Sequence, residues 1–141
     1  MRGIKFRAWD TELKFFVDPL VYFVGFDGSV WFNNCADGDD YMTDQSGKLV
    51  IMQFTGFIDH NRKEVYAGDI VEISGDGYYS NESFNTEDGE WTFTGEVAMD
   101  SLMWIVINKK DDTYYPLCDI LRDEHGIKII GNKWENSELL K

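Results

Sequence analysis

The chain is short of bases. Its 141 residues hold 13 Lys and Arg against 26 Asp and Glu, a formal net charge of −13. No base lies between Lys14 and Lys48 or between Lys63 and Lys109, and 16 of the 26 acids fall in those two gaps. A surface that tracks phosphates needs clustered Lys and Arg to displace counterions. Direct nucleic-acid binding is therefore not expected. The plain use of the acid excess is solubility through self-repulsion. Cysteine is equally scarce: Cys35 and Cys118 form no CxxC pair, so two reduced, partly buried thiols are expected. There are only two prolines. No run of eighteen apolar residues exists, which excludes a membrane-spanning helix. Met1–Arg7 is charged but leads into no long apolar run, so no secretory signal is expected and the location reads as cytoplasmic.

Helical periodicity is also missing. No window sustains a 3.6-residue apolar stripe, so helix content should be low. Catalytic motifs are absent too: there is no Gly-x-Ser-x-Gly elbow, Walker loop or dinucleotide fingerprint. His60 and His125 both fall in predicted turns, where a histidine is usually exposed. Carboxylates are so abundant that any pair can mimic an acid/base couple, and only geometry gives such a pair meaning. The loop Asn33–Asp40 tempts a calcium reading. However, Gly38 sits between Asp37 and Asp39, which breaks the alternating-acid pattern, and no helices flank it. No metal or cofactor is expected.

What the chain does have is short alternating runs separated by turn residues. The stretch Ile51–Ile73 organises the rest. It reads as a strand closed by Gly56, a reversal through Asp59-His60-Asn61, and a second strand, Ile70–Ile73, launched by Gly68-Asp69. In that second strand Val71 and Ile73 share one face and Ile70 takes the other. Upstream, Ile4, Phe6 and Ala8 alternate with Lys5, Arg7 and Trp9, which predicts a strand with the first three buried. Leu13–Val17 can return as its hairpin partner. Tyr22–Phe26 and Ser29–Phe32 flank Asp27-Gly28, the strongest local hairpin signal in the chain. Lys48–Phe54 reads as a buried strand.

Downstream, Ser74–Glu90 is rich in Gly, Ser, Asn and acids and reads as a mobile excursion between strands. Tyr78, Tyr79 and Phe84 within it either fold back on the core or mark a contact surface. Thr92–Met99, Met103–Ile107 and Ile127–Ile130 are further strands. Cys118–Leu121 is short enough to be helix or strand, and Asn136 can cap a final turn at Ser137–Leu140. Many short strands with frequent turns indicate an all-β barrel or sandwich of antiparallel strands, with little helix.

Three blocks together resemble one family. Ile4-Lys5-Phe6-Arg7-Ala8-Trp9-Asp10 is similar to the opening of the YopX family of phage and prophage proteins. Gln53-Phe54-Thr55-Gly56, then Asp59, Asn61, Lys63-Glu64-Val65-Tyr66 and Gly68-Asp69-Ile70-Val71, is similar to its central signature. Ile129-Ile130-Gly131-Asn132, Glu135-Asn136 and Glu138-Leu139-Leu140 resemble its ending. Here Asn61-Arg62 stands where an Asn-Gly turn is usual, and the Ser74–Glu90 stretch is longer than usual. The resemblance implies an all-β fold with a small SH3-like barrel after the Gly-Asp step. The expected division is therefore an N-terminal β region over 1–64 and a barrel-like region over 65–141. It brings no activity.

The signature residues Gln53, Thr55, Gly56, Gly68, Asp69, Gly131 and Asn132 are turn formers and strand ends, so their expected role is structural. Gly56 and Gly68 suit positive φ, and Asp69 suits accepting backbone N–H groups. The chain is thus expected to be a non-enzymatic phage accessory protein in the bacterial cytoplasm that forms a homo-oligomer or binds a host protein. The surplus of Trp9, Trp31, Trp91, Trp104 and Trp134 supports a recognition role. Two alternatives stand beside it. One is an acidic DNA-mimic decoy of a nucleic-acid-binding protein. The other is a cation-dependent hydrolase using an acidic cluster, which requires carboxylates to converge in one pocket.

Overall fold

The structure is a computed structural model and describes residues 3–18, 22–33, 42–76, 84–87, 89–123 and 125–141. Two compact units divide the chain: Lys5–Gln53, and Phe54–Lys141 with Met1–Ile4.

In the first unit, β1 (Phe6–Asp10) is joined by a turn to β2 (Phe15–Phe16), and β3 (Tyr22–Val24), β4 (Val30–Asn33) and β5 (Met42–Asp44) form an antiparallel meander. The Asp27-Gly28 hairpin is present. Gly28 has φ +84°, and the Gly25 amide donates to the Ser29 carbonyl at 2.8 Å. β1 also pairs antiparallel with the start of β6 (Leu49–Ile58), Trp9 lying opposite Val50 and Phe6 opposite Gln53.

The buried face of β1 is the reverse of the one its alternation suggested. Trp9 is 2% exposed, whereas Phe6 is 44% and Ile4 81% exposed. The reason is volume. Trp9 meets the Phe16 ring edge-on at 4.9 Å, Arg7 lies over that ring at 4.7 Å, and the Arg7 guanidinium donates to Met52 Sδ at 3.8 Å. Burying the indole on that face turns Phe6 to the other.

β6 runs on through Gly56 rather than ending there. Gly56 has φ +86° inside the strand, where the register with β7 (Glu64–Tyr66) shifts between Phe54 and Ile58. This is a bulge that only glycine accommodates without strain.

The second unit is built on β10 (Glu90–Asp100), which pairs with β8 (Asp69–Asp76) along one edge. On its other edge it pairs first with β9 (Phe84–Glu87) and then with β11 (Met103–Asn108). β12 (Thr113–Pro116) and β13 (Gly126–Asn132) complete an antiparallel sheet of order β12-β11-β10-β8-β13, curled into a half-barrel. Val71, Ile73, Trp91, Phe93, Val97, Val106, Leu117, Ile120 and Ile127 form its core, while Ile70, equally buried, takes the opposite side of β8 as the alternation requires.

Part of the expected Ser74–Glu90 excursion is therefore strand, since β8 reaches Asp76 and β9 pairs with β10. Tyr78 and Tyr79 lie outside the described residues, as do Cys35 and most of the Asn33–Asp40 loop. The stretch around Cys118–Leu121 resolves as a helix, α1 (Leu117–Arg122), with Pro116 at its N-cap, Asp119 in the first turn and Arg122 in the last. Cys118 is exposed rather than partly buried, because α1 turns Leu117 and Ile120 to the core instead. Asn136 does precede the final 3-10 turn, Ser137–Leu140, but does not cap it. Its Oδ1 reaches back to accept from the Asn132 amide at 3.2 Å.

Candidate functional site

Four of the signature residues, Gly68, Asp69, Gly131 and Asn132, converge as a seam. Asn132 pairs with Asp69 and Gly131 with Ile70 across β13 and β8. The Gly68 amide donates to the Val97 carbonyl at 2.8 Å, and its carbonyl accepts from the Lys133 amide at 2.9 Å. Gly68 has φ +87°. Asp69, 1% exposed, accepts from the Tyr66 amide at 2.8 Å. Asn132 Oδ1 accepts from the Trp134 and Glu135 amides at 3.0 and 2.9 Å, and its Nδ2 donates to Glu135 at 3.1 Å. Thr55 Oγ1 donates to the Val65 carbonyl at 2.8 Å and accepts from the Phe57 amide at 3.1 Å. Gln53 belongs to the other unit, exposed on β6 opposite Phe6. Every polar atom named in this seam is spent on backbone or on its neighbour.

Sequence reasoning also missed the reach of Asp59. It is 4% exposed, and its Oδ1 accepts from the Asn61 and Lys63 amides at 2.9 and 2.8 Å. Its Oδ2 accepts from the Ile129 amide at 3.1 Å, pinning the reversal to β13 seventy residues on.

A polar cavity of about 420 Å³ lies elsewhere in this unit, lined by Ser74, Gly75, Asp76, Glu90, Asp123, His125 and Gly126. Its histidine is not the exposed turn residue the sequence suggested. The His125 side chain is 16% exposed, edge-on to Trp91 at 4.8 Å and to Tyr115 at 5.8 Å. Gly75 makes this packing possible, since a Cβ there would stand 2.5 Å from the Trp91 ring and 2.8 Å from His125 Nδ1. Nothing local in sequence marks His125, because the rings that enclose it come from β10 and β12. His60, by contrast, is exposed.

The Asp123 carboxylate is 3.9 Å from His125 Nε2. Hydrogen bonds from the Arg122 guanidinium hold it below the usual carboxylate range. The β8–β10 register sets Asp76 directly opposite Glu90, a like-charge pair that weakens the sheet locally. Among the described residues, no group of three or more His, Cys, Asp or Glu is arranged to hold a metal ion.

The third feature is a sheet face. Antiparallel partners point the same way, so the pairs Asp10–Phe15, Phe6–Gln53 and Ala8–Ile51 put Phe6, Ala8, Phe15 and Ile51 on one side. Phe6 and Phe15 are 44% and 45% exposed. Asp10 shares this face but is 6% exposed, its Oδ1 accepting from the Glu12 and Leu13 amides.

Fold and seam together define a class: an all-β protein of curled antiparallel sheets whose signature residues build turns and strand contacts. The chain belongs to the YopX protein family, whose model matches residues 5–141. Two solved structures share the fold over 100% of both chains. Protein EF1440 from Enterococcus faecalis does so at 23% identity with a TM-score of 0.55, and the yopX protein of Bacillus subtilis at 19% with a TM-score of 0.59. No curated protein matches the chain significantly. No helix among the described residues is long and apolar enough to cross a membrane.

Proposed function

We propose that this YopX-family chain is a non-enzymatic phage or prophage accessory protein, acting in the bacterial cytoplasm by protein–protein recognition. The observation that carries this reading is the pair of half-exposed phenylalanines, Phe6 and Phe15, on one side of β1 and β2 in an otherwise acidic chain. Exposed aromatic residues are effective interface anchors. Thr55, Asp69 and Asn132 support the same reading, since the polar groups described for them are committed to backbone and neighbouring contacts. Its partner is a second copy or a host protein. The test is affinity capture from the bacterial host with wild type and a Phe6→Lys/Phe15→Lys variant of unchanged melting temperature. Loss of specific partners in the variant is expected. An unchanged partner set would overturn the assignment of the face.

One observation favours a second reading, the cation-dependent hydrolase. Asp76, Glu90 and Asp123 do line one cavity together with His125. A saturable rise in melting temperature with millimolar magnesium or calcium would support it. On the recognition reading, the temperature stays put.

A further inference from the structure

We draw no further inference here: the strongest candidate, the polar cavity lined by Asp76, Glu90, Asp123 and His125 at the ends of β8 and β10, rests on a cluster of acidic side chains already given to the second reading above, and no other feature among the described residues points to its ligand.

Discussion

Asp59 offers a graded test of how the second unit is held together. Its carboxylate accepts three backbone amides, two inside the reversal at Asn61 and Lys63 and one from Ile129 on β13. Asp59→Ala removes all three acceptors. A net hydrogen bond contributes about 1 kcal/mol, rising to about 1.5–3 kcal/mol when one partner is charged. The two turn amides lie next to exposed residues and can turn partly to water, so about 1 kcal/mol each is reasonable for them. The Ile129 amide sits in a strand beside the core and has no such recourse, so about 1.5–2 kcal/mol applies there. The total is about 3.5–4 kcal/mol, or roughly 10–12 °C in melting temperature at about 3 °C per kcal/mol for a chain of this size. Asp59→Asn separates the two parts. Its amide oxygen can keep the turn bonds, but an NH₂ then faces the Ile129 N–H, donor against donor. About half the loss is expected, roughly 5 °C. Thermal unfolding followed by circular dichroism reads both variants. If Asp59→Asn melts with wild type, the long-range bond contributes nothing and the reasoning fails. If Asp59→Asn falls as far as Asp59→Ala, the turn bonds are the part that is wrong.

Three further outcomes are expected. Gly68→Val should lose about 2–3 kcal/mol, because a β-branched residue at φ +87° is strained and the Val97 and Lys133 backbone bonds depend on that geometry; a melting temperature equal to wild type would remove this role. Burial pushes the Glu96 carboxyl up, but the ammonium groups of Lys109 at 2.8 Å and Lys133 at 3.1 Å outweigh it, so its folded pKa lies below the ordinary value. A depressed carboxyl stabilises the fold above its unfolded pKa, about 4.3, and loses that contribution as pH falls through the folded value. Denaturant titrations should therefore show Glu96→Gln less stable than wild type at neutral pH, the gap closing as the solution is acidified; a gap independent of pH would contradict the ion pairing. Finally, Ser101 and Leu102 turn the β10–β11 hairpin at φ +49° and +67°, and Leu102 is 96% exposed. Leu102→Gly should therefore stabilise by about 0.5–1 kcal/mol, and a fall in melting temperature would show that the leucine makes contacts.

Much of the local structure was legible because it is written in neighbouring residues. Asp27-Gly28 announces its hairpin, and Gly56 and Gly68 sit at positive φ as glycines before or within strands do. What could not be read is what depends on partners far along the chain. Alternation in Ile4–Trp9 gave two faces, but the burial of Trp9 depends on Phe16 on another strand. Asp59 was recognisable as a turn former, yet its third bond goes to Ile129. His125 looked like a turn residue because the rings of Trp91 and Tyr115 come from two other strands. The cavity gathers side chains from the end of β8, the start of β10 and the link between α1 and β13, a convergence that no spacing encodes. Six residues of α1 are too few to show a helical period.

The proposed recognition reading puts the contact on the side of β1 and β2 that bears Phe6 and Phe15. Hydrogen exchange followed by mass spectrometry on the wild-type chain, at low and at high micromolar concentration, locates that contact peptide by peptide. The account predicts that protection rises with concentration in peptides covering Phe6–Phe16 and Leu49–Gln53, and stays constant in those covering Asp69–Asp76 and Glu90–Asp100. Protection that is independent of concentration throughout, or that rises only in the acid-lined segments around Asp76 and Glu90, would contradict it.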